Sequence, residues 1–165
     1  MTALLQMLET HWKDLLVTFG ISMLPVVELR GGIPFAAVHG IPFGLAFAVS
    51  FLGNILPVPF ILLLLRRVFQ FMEQWKLTRR VVLGLERRAR KHTGTLDKYA
   101  LLGLFILVAI PLPGTGAWTG SLVAVVFDIQ IRRAFPVIAL GVLTAGIIMT
   151  VLSYLIPGLF FDIGA

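Results

Sequence analysis

The chain has 165 residues, of which 58% are hydrophobic and 13% are charged, and its net charge at pH 7 is +6. Its mean hydropathy is +0.97, and soluble domains carry about 45–50% apolar and about 25% charged residues. The absence of cysteine excludes disulfides, thiolate metal sites and cysteine nucleophiles. We therefore expect an integral membrane protein with one domain over residues 1–165.

The first apolar region, residues 15–38, is interrupted midway by P-V-V-E-L-R-G-G-I-P at residues 25–34. Each arm has about 8–12 apolar residues, or about 15 Å of helix, which is half the thickness of a membrane. Half-length arms around a Gly/Pro break predict a re-entrant hairpin, which turns at mid-depth and leaves on the side it entered. A full span stays open here, because this half carries too few charges to decide.

Residues 43–65 form the first continuous apolar stretch, and about 34 Å of helix is enough to cross a bilayer core of about 30 Å. Segment 66–98 follows it, with ten basic residues against three acidic ones. A basic segment between apolar spans is typical of the cytoplasmic face. We expect residues 67–98 to form an amphipathic cytoplasmic connector along the membrane surface, with membrane lipid as its partner and no nucleic acid.

The second interrupted region, residues 99–126, contains P-L-P-G-T-G-A-W-T-G at residues 111–120, and an uninterrupted span follows at residues 134–156. A full span through residues 99–126 would place Arg132 and Arg133 outside, against the usual distribution of positive charge. A re-entrant hairpin returns both arginines to the cytoplasm. The charges therefore favour a second hairpin.

The two halves resemble each other in sequence. Residues 25–53 align with residues 113–141 at an offset of 88 without gaps, with ten identities in 29 positions. If the first hairpin opens outward and the second inward, the chain is an inverted repeat of two re-entrant hairpins, each followed by a full transmembrane helix. The repeats would cover about residues 14–66 and 99–157, with both termini periplasmic. Paired Gly/Pro-interrupted segments predict the site of a secondary transporter.

Glu28 and Arg30 are the ionisable residues that this topology places deep in the membrane. Intramembrane charges are costly and are functional candidates by default. The carboxylate is a candidate for a coupling proton or for orienting substrate, and the arginine for an anion contact. A structural ion pair that pins the turn is the alternative.

The other candidate residues lie around the two breaks. Glycines permit left-handed turns and close helix contact, prolines stop the arms from fusing, and helix N-termini near Gly32 and Gly120 offer N–H groups to an anionic or zwitterionic group. Asn54 is expected to make an interhelical hydrogen bond. Besides Glu28 and Arg30, the predicted substrate or ion site contains Gly31, Gly32, Pro34, Asn54, Pro111, Pro113, Gly114, Thr115, Gly116, Trp118 and Gly120.

Enzymatic signals are weak. G-T-G is too short for a nucleotide loop, and no Ser/His/Asp set, carboxylate pair or metal-ligand spacing occurs in the sequence. We expect no enzyme activity, cofactor or metal.

The motifs E-L-R-G-G-I-P and P-L-P-G-T-G-A-W-T-G together resemble the small multidrug export family of bacterial membrane proteins, over about residues 15–156. That family is distantly similar to the DedA/VTT superfamily, in which re-entrant hairpins face each other in inverted repeats, and R-R-A-F-P-V-I-A-L-G at residues 132–141 is similar to the segment after the DedA hairpin. The resemblance implies a multi-pass protein of the bacterial inner membrane that transports small molecules.

We therefore expect a transporter that works by alternating access at the two hairpins, with proton coupling as one option. A DedA-like lipid-headgroup translocase or scramblase and a non-transporting membrane scaffold remain alternatives. A homodimer, the substrate and the coupling ion are left open.

Overall fold

A computed structural model of the chain describes residues 2–73, 96–112 and 114–155, and in these residues it contains helices and loops without strands. The helices are α1 (Thr2–Met23), α2 (Glu28–Val38), α3 (Phe43–Ile55), α4 (Pro57–Glu73), α5 (Leu96–Ala109), α6 (Ala117–Val126) and α7 (Ile131–Leu155). The predicted all-α class is confirmed. Most of the predicted connector, and Pro113, lie outside the described residues.

Two of the helices within the described residues are long and apolar enough to cross a membrane. One covers 26 residues, Phe43–Val68, and the other covers 25 residues, Ile131–Leu155. The first combines α3 with most of α4, because Leu56 keeps helical angles and its N–H donates to Leu52 O at 3.0 Å. Pro57 has no N–H, so the ladder loses one hydrogen bond between α3 and α4. Both helices lie where the sequence predicts a span.

The first break is shorter than the sequence predicts. It covers residues 24–27, so Glu28, Arg30 and the glycines that follow lie in α2 rather than in an extended turn. Two non-glycine residues with positive φ, Val26 at 78° and Glu28 at 53°, make the turn. The expectation that Gly31 and Gly32 would form it is therefore wrong. Pro34 also lies inside α2, where its missing N–H removes one hydrogen bond of the helix.

The second break does use glycine. It covers residues 110–116, and Gly114 and Gly116 have φ of 81° and 125°. The following helix begins at Ala117, three residues before the predicted start near Gly120. Likewise, the first of the outgoing helices begins at Glu28 rather than near Gly32.

The helices that leave the two breaks end in the same way. The N–H groups of His39, Gly40 and Ile41 donate to the carbonyls of Phe35, Ala37 and Ala36, and 88 residues later Phe127, Asp128 and Ile129 donate to Val123, Val125 and Ala124. Gly40 and Asp128 both have positive φ, 68° and 51°. This is the left-handed residue that commonly ends a helix. The sequence repeat is thus also a repeat of backbone geometry.

Equivalent glycines bring the helices of each half together. A Cβ on Gly53 would lie 2.6 Å from Phe19 O of α1, and one on Gly141 would lie 2.7 Å from Val108 Cβ of α5. Gly32 and Gly120 leave similar space on α2 and α6, which pack against the same neighbours. Close packing through small residues is the usual way in which helices associate in a membrane.

Two hydrogen bonds join the halves at opposite ends. Tyr154 Oη, near the end of α7, donates to Ile41 O just before α3 at 2.6 Å. Arg66 Nη2 of α4 donates to Ile129 O just before α7 at 3.0 Å. Donors and acceptors are each 88 positions apart, and α7 therefore runs antiparallel to α3 and α4. The main buried cluster joins α2, α4, α5, α6 and α7, and it includes Leu104, Val108, Ile138 and Val142.

Candidate functional site

The two breaks meet through Arg30 of α2. Its Nη2 donates to Ile110 O at 3.1 Å and to Thr115 Oγ1 at 2.9 Å, and its Nη1 donates to Thr115 O. Ile110 O, just after the end of α5, also accepts hydrogen bonds from Leu112 N and Thr115 Oγ1, so the guanidinium joins the hydrogen bonds that hold the second break. Arg30 therefore bridges the break in the first half to the break in the second.

The Glu28 carboxylate lies beside the N-terminus of α6. Its Oε1 accepts a hydrogen bond from Trp118 N at 3.1 Å, and its Oε2 lies 3.3 Å from Arg30 Nη1 and 3.4 Å from Asn54 Nδ2. The residue is only 2% exposed. Free N–H groups and the positive end of a helix dipole favour an anion at such a position. The predicted anion site is therefore occupied by a carboxylate of the chain itself.

Gly116 makes this approach possible. A Cβ at this position would overlap Glu28 Oε2 and would lie 2.6 Å from Arg30 Nη1. Its backbone angles, φ 125° and ψ −163°, also belong to a region that essentially only glycine adopts. Any larger residue would have to push the carboxylate away from α6.

Trp118 adds a second link between the halves. Its indole Nε1 donates to Met23 O, at the end of α1, at 3.2 Å, while its backbone N–H donates to Glu28. One residue at the start of α6 thus contacts both sides of the first break. Its side chain thus serves as a hydrogen-bond donor to the first half.

The structure brings six of the predicted site residues together and separates the others. Glu28, Arg30, Asn54, Thr115, Gly116 and Trp118 form one connected cluster. The remaining described candidates lie outside this cluster. Three are in α2 and one is in α6, namely Gly31, Gly32, Pro34 and Gly120. Pro111 and Gly114 lie in the second break. Asn54 makes the interhelical hydrogen bond that the sequence predicts.

Sequence reasoning missed two kinds of contributor. Ile110 and Met23 take part through backbone carbonyls, which no side-chain pattern reveals. Ser22 and Ser50 are fully buried close to the site. The spacing of Ser50 and Asn54, four positions apart on an apolar helix, is a signal that could have identified the second serine.

In chemical terms the site holds one carboxylate and one guanidinium, so its formal charges cancel. Within residues 2–73, 96–112 and 114–155 no group of His, Asp and Glu side chains could hold a metal ion. Arg30 Nε is buried without a partner in the same residues. The arrangement can bind a polar group or exchange a proton, provided that the internal contacts open.

A cavity of about 440 Å³ lies elsewhere, between α3 and the last turns of α7. Its lining includes Phe43, Phe47 and Tyr154 and exposes no polar surface. None of the predicted site residues lines it. The Glu28–Arg30 cluster is closed in this conformation, because the side chains of Glu28 and Arg30 are 3% and 11% exposed and both are held by the second break and α6.

Comparison with known proteins supports the motif resemblance at the family level. No curated protein and no solved structure matches the chain significantly, so similarity to the DedA/VTT superfamily stays an expectation. A family model described as "Putative small multi-drug export protein" matches residues 28–148. The match begins at Glu28, just after the first break, includes the second break and ends within α7. The chain belongs to this family of small multi-drug export proteins.

Proposed function

We propose that the chain is a multi-pass membrane transporter that exports small molecules by alternating access at two facing re-entrant hairpins. The observation that carries the proposal is the buried Glu28–Arg30 pair, which lies where two broken helices meet. Broken helices with polar groups at mid-membrane are typical of secondary transporters. The family description points to the same class of activity.

The lengths of the outgoing helices support the hairpins, whereas the incoming helices α1 and α5, with 22 and 14 residues, are longer than the predicted arms of about 8–12 residues. The outgoing helices α2 and α6 have 11 and 10 residues, and about 15–17 Å of helix is half of a membrane. Asn54, which contacts Glu28, is the twelfth residue of the 26-residue apolar helix Phe43–Val68. If that helix spans the membrane, Glu28 lies near mid-depth. The first hairpin, formed by α1 and α2, would then turn there and return to the side where α3 begins.

Contacts between the halves support the inverted arrangement. The loop before α3 contacts the end of α7, and the loop before α7 contacts Arg66 of α4. The second hairpin, formed by α5 and α6, would therefore open to the side opposite to the first. Arg66, Arg132 and Arg133 would share one side, which is the cytoplasmic one by the distribution of positive charge.

The described conformation would be the closed state of the cycle. Arg30 is held by the second break, and Glu28 by the N-terminus of α6. Protonation of Glu28 removes the negative charge that holds these groups together, which favours separation of the hairpins. A ligand or proton can shift the equilibrium only by binding one state better than the other. In the open state Arg30, the α6 N–H groups and Glu28 would contact substrate or proton.

Lipid-headgroup translocation is the second candidate. The apolar cavity between α3 and α7 has a volume of about 440 Å³ and a lining suited to hydrocarbon. A translocase would use the Glu28–Arg30 cluster for a zwitterionic headgroup. A scaffold, the third alternative, would use the same pair only to hold the two breaks together.

An efflux assay tests the proposal. Cells that express the chain should lose fluorescent test compounds faster than cells that lack it, and Glu28→Gln should reduce this efflux at least tenfold with unchanged membrane expression. Gln keeps the size of the side chain but cannot exchange a proton. Asp14→Asn, which removes a partly exposed carboxylate of α1 outside the site, is the matched control and should retain efflux.

Two results would contradict this proposal, one for the role of Glu28 and one for transport itself. Equal efflux by wild type and Glu28→Gln at every pH would remove Glu28 from the mechanism. Absence of wild-type efflux, combined with Glu28-dependent flipping of fluorescent phospholipid in reconstituted vesicles, would establish the translocase instead. If neither activity occurs, the scaffold remains.

A further inference from the structure

A line of buried polar side chains leads to Glu28 from one side. We name Thr18, Ser22, Ser50 and Asn54 the polar seam; all four are at most 1% exposed. The seam lies where α1 and α3 pack against α2. A Cβ on Gly32 would overlap Ser22 Oγ and lie 3.0 Å from Ser50 Oγ. One turn further along the seam, Asn54 Nδ2 contacts Glu28 Oε2.

The second half contains the same packing without the polarity. The carbonyls of Phe19 and Phe105 face Gly53 and Gly141, which fixes how α1 corresponds to α5. The seam positions then correspond to Leu104, Val108, Ile138 and Val142. These four residues are buried as completely as the seam, at most 1% exposed. The same helix geometry thus packs with apolar side chains, so packing alone does not require the hydroxyl and amide groups.

Polar atoms of the seam lack partners. Ser50 Oγ and Asn54 Oδ1 are buried without a hydrogen bond from any residue that the structure describes. Ser22 Oγ donates to Thr18 O, and Thr18 Oγ1 donates to Asp14 O, each at 2.7 Å, so both hydroxyl oxygens can still accept. Buried polar groups in this state commonly bind ordered water.

Charge favours water over a metal cation. The polar seam itself has no formal charge. The neighbouring carboxylate, Glu28, is already compensated by Arg30 and by the N-terminus of α6. A sodium ion would add a positive charge beside the guanidinium without an unpaired carboxylate to balance it. Water can satisfy both the acceptor and the donor that lack a partner, because it donates to Asn54 Oδ1 and accepts from Ser50 Oγ.

We propose that the polar seam holds internal water that carries protons to and from Glu28, so that the coupling ion of the transporter is the proton. This rests on the proposed function, in which Glu28 is the coupling carboxylate. A proton passes from a seam water to Glu28 Oε2 and forms the carboxyl O–H bond, while that water takes a proton from the next water outward. Glu28 loses its charge, and Arg30 keeps its own.

The outer end of the seam is closed in this conformation. Leu15, Ala36, Ile41 and Ala46 form a buried apolar cluster one turn further along the three helices. Beyond it, Asp14 and His11 of α1 are about one third exposed and lie 3.6 Å apart. Water in the seam would therefore exchange with bulk solvent when α1 and α2 shift against α3, which gates the proton route.

The test exchanges the polarity of the seam. Ser22→Val combined with Ser50→Ile gives the first half the residues that the second half has at the corresponding positions, and it leaves Asn54 and Glu28 in place. Nuclear magnetic resonance in lipid nanodiscs should detect water contacts at residues 22 and 50 in the wild type and none in this double variant. After a pH jump, the infrared signal of Glu28, assigned with Glu28→Gln, should change at least tenfold more slowly in the double variant.

The matched control is Val108→Ser combined with Ile138→Ser, which introduces hydroxyls in the second half where no carboxylate follows. It should leave the rate of Glu28 titration unchanged. Ser22→Ala combined with Ser50→Ala removes the hydroxyls without added volume. This variant replaces Ser22→Val combined with Ser50→Ile in the test if the latter does not fold.

A dry seam in the wild type, or Glu28 titration as fast in both seam variants as in the wild type, would overturn the proton route. These readouts do not depend on transport. Failure of the transporter proposal would instead appear as the absence of efflux by the wild type.

Discussion

At the scale of single residues, Gly116 decides whether the two breaks can meet. Gly116→Ala should push Glu28 away from Trp118 N, because the new Cβ would overlap Glu28 Oε2. Strained backbone angles of this kind cost about 1–3 kcal/mol for a residue with a side chain. We expect a lower unfolding temperature in detergent, measured by intrinsic fluorescence, together with reduced efflux.

Gly114→Ala is the control for this substitution. Gly114 also has positive φ, 81°, but a Cβ there would meet no atom within 4 Å. It should therefore cost stability through the backbone alone and retain most of the efflux. Equal loss of efflux in the two variants would show that backbone strain, rather than contact with Glu28, is responsible.

The sequence identifies the charged members of the site but not their partners. Glu28 and Arg30 are recognisable because charge is rare in an apolar stretch, and Asn54 because an amide in a membrane helix needs a hydrogen bond. The partners of Arg30 include the backbone carbonyls of Ile110 and Thr115, which are present at every position of any chain. Only the fold selects them.

At the scale of helices, close contact between α1 and α3 depends on Gly53. Gly53→Ala would place a Cβ 2.6 Å from Phe19 O, a backbone atom that cannot rotate away. The two helices must then separate, and overpacking of this kind typically costs about 1–3 kcal/mol. We expect a lower free energy of unfolding in a denaturant titration of the protein in mixed micelles.

Gly44→Ala provides the comparison on the same helix. A Cβ at Gly44 would meet no atom within 4 Å, and alanine is the better helix former. Stability should stay equal or rise slightly. If Gly53→Ala were as stable as Gly44→Ala, the close contact with Phe19 would not limit the packing of α1.

Helix boundaries show where local sequence rules succeed and fail. The long spans follow from continuous apolar composition and lie within a few residues of their predicted positions. Gly31, Gly32 and Pro34 suggest a turn but belong to α2, because glycine here serves the approach of neighbouring helices. The turn instead forces Val26 to a φ of 78°, which β-branched residues rarely adopt. Tertiary packing overrides local preference at this break.

At the scale of the whole molecule, the orientation of the second half can be tested directly. A topology reporter fused after Arg133 should be active in the cytoplasm, because Arg66 contacts Ile129 and so puts the end of the first long helix beside this loop. A fusion after Lys13 should report the opposite side. Periplasmic activity after Arg133 would remove the second hairpin and the inverted repeat with it.

The repeat is visible in the sequence as ten identities at an offset of 88. The equivalent contacts that the two halves make are not visible there. Apolar residues match easily by chance, whereas the paired contacts of Tyr154 with Ile41 and Arg66 with Ile129 depend on unrelated side chains at corresponding positions. Tyrosine and arginine are chemically different side chains, yet both donate a hydrogen bond to the backbone carbonyl at the equivalent position of a loop. Such equivalence appears only in three dimensions.

The contact between Glu28 and the start of α6 has a consequence for ligand selection. A tethered carboxylate competes with any dissolved anion at an effective concentration of about millimolar or more. A carboxylate or phosphate from solution would displace it only at a higher concentration or by binding the start of α6 more tightly. In the proposed transporter, anionic compounds would enter only after Glu28 is neutralised or withdrawn. In the proposed transporter, Glu28 would thus compete with anionic compounds for the start of α6, and the charges of the compounds transported in the efflux assay would show whether Glu28 has to leave first.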